Sequence, residues 1–249
     1  MPLFGGCWRV SLEFSSTVMI VDMSGKGCDV KMSLVMAIAN KEGIVITADR
    51  RLTETHFYKD YESIVTYKNH YRKLFVTNRG HAIASTGTAI FQDGTPVKDI
   101  ICKAIETLNS KPLSIDEEFR FLKRGLIKHS EPNDNVVLVM AGIENNQNVV
   151  MIENVKTSKF RNRVQGQDAF VSAGDNKLVS SMYSFSNIDL SQFSVEQTVQ
   201  YLEFINETTA RLQKFSQNPQ TVSEQCDILV IQKNRIYWKN EPFAFEDDL

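Results

Sequence analysis

Read from Leu34 onward, the chain alternates between short apolar runs and turns. "LVMAIA", the turn "NKEG" and "IVITA" form a predicted β-hairpin whose strands are apolar on both faces, so both are expected to be buried. "KLFVTN" and "HAIAST" flank Arg79-Gly80 and predict a second hairpin. The period then changes. After Thr95-Pro96, apolar residues fall at Val97, Ile100, Ile101, Ala104, Ile105 and Leu108, which is helical spacing with proline at the first turn. Ser114 and Glu117 form a capping-box pattern ahead of a second helix, "FRFLKRGLI". Two strands follow, "NVVLVMAGI" and "NVVMIENV", joined by "ENNQ", and then a short strand, "DAFVSAG". "DNKLVSSMYSF" predicts a third helix. Ser194 with Gln197 caps a fourth and longer one, and "CDILVIQ" with "RIYWK" closes the chain as a hairpin. This order of strands, helix pair, strands, helix pair and strands predicts an α+β fold, with two sheets face to face and helices outside both.

Residues 1–32 lack this regularity. "STVMIVDMSG" is too short for a secretory signal, has no basic region before it, and is interrupted by Asp22. No run approaches the roughly 20 apolar residues of a membrane span, and the expected location is cytoplasmic. A length of 249 residues suits one domain with a real core, here residues 33–249. The net charge of −2 and the absence of a basic stripe give no reason to expect nucleic acid as a partner. Cysteines 7, 28, 102 and 226 form no C-x-x-C pair and no zinc spacing, so buried thiols are expected and no metal or cofactor is. Histidines 56, 70, 81 and 129 are scattered through polar segments and receive no role.

Four features stand in order: Ser33 at the head of the first strand, Asp49 ending "IVITAD", Lys73 in "YRKLF", and Gly87 in "ASTGTA". Together they resemble the β-subunits of the proteasome and the HslV peptidase, which are N-terminal-nucleophile (Ntn) hydrolases. The resemblance runs from residue 33 to about 240, and only the Asp49–Lys73 loop is longer than usual. It implies a four-layer αββα sandwich and a self-compartmentalising peptidase. Ser33 would be the nucleophile, with its own α-amine as base. Lys73 and Asp49 would be the electrostatic pair, and the Gly87 N–H the oxyanion donor. Thr53 would hold substrate backbone, while Ser85 and Ala89 would line the side-chain pocket. Ser172 or Asp175 would support the amine. The family also places an aspartate and a serine in the loop before the penultimate strand. Here that loop, "SQNPQTVSEQCD", lacks the aspartate and offers only Thr221 or Ser223. The expected assembly is a homo-oligomeric ring acting on peptide or unfolded protein, and an ATP-dependent unfoldase partner is left open.

The chemistry explains why the position of Ser33 matters. A serine hydroxyl needs a base to take its proton, and a chain-terminal amine, with a pKa of about 7.7–8.0, is partly neutral near pH 7. An amide nitrogen after Met32 cannot serve. Residues 1–32 therefore read as a misassigned translation start, a propeptide, or a permanent extension on a non-catalytic subunit. The junction Lys31-Met32 lacks the glycine that such propeptides carry, and the motifs of α-type subunits are missing. A start at Met32 fits best, because removal of methionine before serine leaves Ser33 first. Two rival functions stand beside the peptidase: a non-catalytic proteasome-like ring or scaffold subunit, and an Ntn amidase acting on a small amide.

Overall fold

The computed structural model describes residues 12–13, 16–22, 33–57, 63–110, 113–132, 134–157, 162–166, 168–175, 177–186, 188–216 and 220–240. The strands are β1 Leu12–Glu13, β2 Ser16–Asp22, β3 Leu34–Asn40, β4 Gly43–Asp49, β5 Leu52–Phe57, β6 Ser63–Lys68, β7 Leu74–Val76, β8 Ala82–Gly87, β9 Val136–Glu144, β10 Gln147–Asn154, β11 Asn162–Gln165, β12 Ala169–Gly174, β13 Cys226–Gln232 and β14 Arg235–Trp238. The helices are α1 Val97–Leu108, α2 Ile115–Ile127, α3 Lys177–Ser186 and α4 Val195–Gln213. Among the described residues the strands make a seven-stranded sheet, β1-β2-β12-β3-β4-β13-β14, a five-stranded sheet, β11-β10-β9-β8-β7, and the separate pair β5-β6.

The continuous apolar runs have a physical cause. In β3, Val35, Ala37 and Ala39 face the cluster shared by the two large sheets, whereas Leu34, Met36 and Ile38 face the cluster that holds α3 and α4. Alternate residues of a strand point to opposite faces, so a strand covered on both sides must be apolar throughout. β9 divides in the same way. Val137, Val139 and Ala141 enter the inter-sheet cluster, and Val136, Leu138 and Met140 pack with α1 and α2. The result is a mixed α/β sandwich of mostly antiparallel sheets, with helices packed on both. Ser114 and Ser194 form capping boxes that start α2 and α4.

Two features were not expected from the sequence. The long Asp49–Lys73 connection contains the β5–β6 hairpin, paired from Leu52↔Lys68 to Phe57↔Ser63. The seven-stranded sheet also continues upstream of Ser33, because β2 runs parallel to β12 from Thr17↔Ala169 to Asp22↔Gly174. No described helix is long and apolar enough to cross a membrane.

Candidate active site

Strand register brings the distant candidates to one end of the sandwich. β3 and β4 are antiparallel, with Val35 opposite Ala48, so the head of β3 meets the end of β4. Lys73 lies directly before β7, whose partner β8 ends in Gly87. Ser33, Asp49 and Lys73 are exposed by only 6%, 0% and 3%.

Lys73 uses its ammonium fully. Nζ donates to Ser33 Oγ at 2.7 Å, to Asp49 Oδ1 at 3.0 Å and to the Arg51 carbonyl. Asp49 accepts three backbone N–H groups besides: Leu34 at 2.8 Å, Arg51 at 2.8 Å and Ser223 at 3.3 Å. A buried carboxylate so supplied stays where it is and fixes the lysine beside it. Burial pushes the Lys73 ammonium below the ordinary lysine range, and the Asp49 charge opposes that fall. The ammonium held in this way points at the Ser33 hydroxyl oxygen.

Gly87 closes β8 at φ +95°, a left-handed conformation that favours glycine. Its neighbour Thr86 donates its hydroxyl to the Ser33 carbonyl at 3.3 Å. Ser85 is tied to Lys73 through its backbone, N–H to carbonyl at 3.2 Å. The half-buried Ala89 gives its carbonyl to Tyr71 Oη at 3.1 Å. Thr53 donates its hydroxyl to the Gln220 carbonyl at 2.9 Å, so it binds the 220–225 loop.

The supporting residues separate by register. Ser172 is fully buried opposite Met36, inside the sheet. Asp175 is the residue that reaches Ser33, its N–H donating to the Ser33 carbonyl at 2.9 Å. Ser223 meets Asp49 rather than Ser33. Its hydroxyl accepts the Arg50 N–H at 2.9 Å and donates to the Gln225 carbonyl at 2.5 Å.

Several participants were missed at the level of sequence. Arg50 directs Nε and a terminal nitrogen at Asp227 Oδ1, both at 2.7 Å, as a buried pair next to the Lys73–Asp49 pair. Burial raises the Asp227 carboxyl, and Arg50 opposes the rise. Thr86 and Gln213 were missed as well. "ADRR" gives no sign that its first arginine turns inward, since the partner lies on a strand 177 residues away. Cys226 is buried and Cys102 half-buried, and both are free thiols. Burial pushes the Cys226 thiol up to about 12, which makes it a poor nucleophile. Cys7, Cys28 and Met32 lie outside the described residues.

No family model and no curated protein matches the chain. Among solved structures it is similar to the Anbu (Gly-1) mutant from Hyphomicrobium sp. strain MC1, with a TM-score of 0.60 over 87% of this chain and 89% of that one. At 13% identity the likeness concerns the fold alone, and the chemistry has to be argued from the residues.

Proposed function

We propose that this chain is a self-compartmentalising peptidase of the proteasome and HslV type, built on a four-layer αββα Ntn sandwich, with Ser33 as an N-terminal nucleophile. The observation that carries the reading is the buried contact of Lys73 Nζ with both Ser33 Oγ, at 2.7 Å, and Asp49. A buried ion pair costs desolvation and is weak evidence for stability alone. Aimed at a serine oxygen, it has a chemical use.

In the proposed reaction Ser33 stands first in the chain. Its neutral α-amine takes the proton from Oγ as Oγ attacks the scissile carbonyl carbon, while Lys73 stabilises the charge developing on Oγ. The carbonyl oxygen becomes an oxyanion facing the Gly87 N–H. Collapse breaks the C–N bond, and the α-ammonium returns its proton to the leaving amine. Water, deprotonated by the same amine, then hydrolyses the Ser33 ester. Thr53, in β5 four residues after Asp49, serves substrate backbone while its hydroxyl stays on the Gln220 carbonyl. Ser85 and Ala89 border the side-chain pocket. Subunits assemble as a homo-oligomeric ring in the cytoplasm through α1 and α2, which confines the sites, and an ATP-dependent unfoldase would feed them.

A non-catalytic ring subunit is the second reading. It is favoured by β2, because residues 16–22 belong to the sheet ahead of Ser33. Peptide hydrolysis by protein beginning at Ser33, with its mass measured by light scattering, separates the two. A ring that cleaves unfolded protein supports the peptidase, and a ring that cleaves nothing supports the scaffold. A monomer that releases ammonia from small amides would point to an Ntn amidase.

A further inference from the structure

Resting on the proposed peptidase reading, in which the Gly87 N–H meets the oxyanion, we infer that Thr88 is a positioning residue. Its hydroxyl pins the Gly87 turn to the five-stranded sheet and keeps that N–H turned to the edge where Lys73 stands. The hydrogen bonds of β8 fix the direction. The Ser85 N–H donates to the Lys73 carbonyl at 3.2 Å, whereas the Thr88 N–H donates to the Asn135 carbonyl at 2.9 Å, on the β9 side. Successive residues of an antiparallel strand address opposite edges. Gly87 therefore directs its N–H to the same edge as Ser85. The register of β7 with β8 ends at Leu74↔Ala84, so β7 does not cover Gly87 there.

The register of β8 with β9 ends at Gly87↔Val136. One step further, a regular ladder would have the Thr88 carbonyl accept the Asn135 N–H. Here the Thr88 hydroxyl takes that N–H instead, at 3.0 Å. The exchange keeps the two strands fastened while it releases the Thr88 carbonyl from the ladder, so the chain can leave the sheet at once. Ala89 holds the other side of the turn. Its carbonyl accepts the Val97 N–H at 2.9 Å, at the start of α1, and the Tyr71 hydroxyl at 3.1 Å.

Asn135 is itself held in place. Its Oδ1 accepts from Asn154 Nδ2 at 2.5 Å. Asn154 is buried at the end of β10, and its Oδ1 accepts the N–H groups of Lys156 and Thr157 at 3.1 and 3.0 Å. Two backbone donors can face only the carbonyl end of an amide, so the NH₂ end must face Asn135. The Val155 N–H, donating to the Val136 carbonyl at 2.9 Å, ties the same two segments once more. The brace thus runs from the Gly87 turn through Thr88 and Asn135 to β9 and β10, in the interior of the sheet.

The test uses protein beginning at Ser33. Thr88→Val keeps the shape and removes the hydroxyl, and Thr88→Ser restores it. Each variant is given a peptide substrate and a peptide vinyl sulfone of the same sequence. Attack on the peptide turns its carbonyl oxygen into an oxyanion. Addition of Ser33 Oγ across the vinyl C=C instead moves the electron pair to the carbon beside the sulfone, which then takes a proton, and no carbonyl oxyanion forms. Thr88→Val should lower kcat for the peptide by about 10²-fold, the usual effect of a group displaced by about 1 Å, with KM nearly unchanged. Its vinyl sulfone adduct should form at the parent's rate, and Thr88→Ser should recover kcat. Equal falls with both reagents would make Thr88 merely structural, and an undiminished kcat in Thr88→Val would show that the turn does not need it; either result overturns the inference. Hydrogen exchange at the Gly87 and Thr88 amides needs no turnover. If the parent reacts with neither reagent, the peptidase reading fails. The brace then stands if those amides exchange faster in Thr88→Val and not in Thr88→Ser, and falls if they do not.

Discussion

Lys73→Ala probes the centre of the site, and the structure sets its expected size. Removing one partner of a buried ion pair costs roughly 3–5 kcal/mol, because a desolvated charge is left behind. Asp49 keeps the Leu34, Arg51 and Ser223 N–H groups when the lysine goes. That residual solvation places the loss at the lower end, about 3 kcal/mol. The double variant Lys73→Met with Asp49→Asn removes both charges and should lose clearly less than the sum of the two single changes. Urea unfolding is the assay, read as a shift in midpoint at constant m-value. Hydrolysis by protein starting at Ser33 should fall by about 10²–10³, the usual consequence of losing one donor to a developing oxyanion. A stability loss under about 1 kcal/mol, or turnover within tenfold of the parent, would refute the assignment of Lys73.

Three further outcomes follow from the same geometry. Because burial lowers the folded-state pKa of Lys73, the folded protein binds fewer protons than the unfolded chain in the window below about 10.4. Stability should therefore rise with pH through that window, and Lys73→Met should flatten the rise. The His129 imidazole, 2.8 Å from Asp93, and the Thr95 N–H hold the Asp93 carboxyl at about 2. In His129→Ala the carboxyl resonance of Asp93 should titrate closer to about 3.9, and an unmoved titration would remove the contact. Cutting the chain before Ser33 and removing residues 1–32 takes β2 from the edge of β12. The amides of Ala169–Gly174 should then exchange with deuterium at least about tenfold faster, by loss of protecting hydrogen bonds, and unchanged exchange would mean that β2 does not cover that edge.

Much of the fold was legible because burial on both faces leaves a plain trace. "LVMAIAN" and "GIVITAD" are buried at every position, and they pair as expected from Asn40↔Gly43 to Val35↔Ala48. The two capping boxes fall at Ser114 and Ser194, as their side-chain spacing predicts. The β5–β6 hairpin was not legible. "LTETHF" and "SIVTYK" have no apolar run and no Gly-containing turn between them. β2 was missed because residues 1–32 show no regular periodicity and "STVMIVDMSG" was weighed only as a secretory signal, although seven residues are enough for a strand. In the site, Ser33, Asp49 and Lys73 could be chosen only together, because their order and spacing resemble a known family while none stands out alone. Arg50–Asp227, Asp49–Ser223 and Asp175–Gln213 could not, since long-range register alone joins them. His81 shows the same limit. It looked like a polar-loop residue, yet it is buried with Nδ1 2.7 Å from Glu118, on a helix that local sequence does not connect to it.

The central claim is that Ser33, placed first in the chain, is a nucleophile activated by its own amine. Reaction with an acylating inhibitor tests this directly. The protein beginning at Ser33 and the 249-residue protein are treated side by side, and the adduct is located by peptide mass. The account predicts a single acyl group on Ser33, formed about 10²–10⁴ faster in the shorter protein, the usual worth of a general base. Equal rates in the two proteins, or an adduct on any other residue, would contradict it.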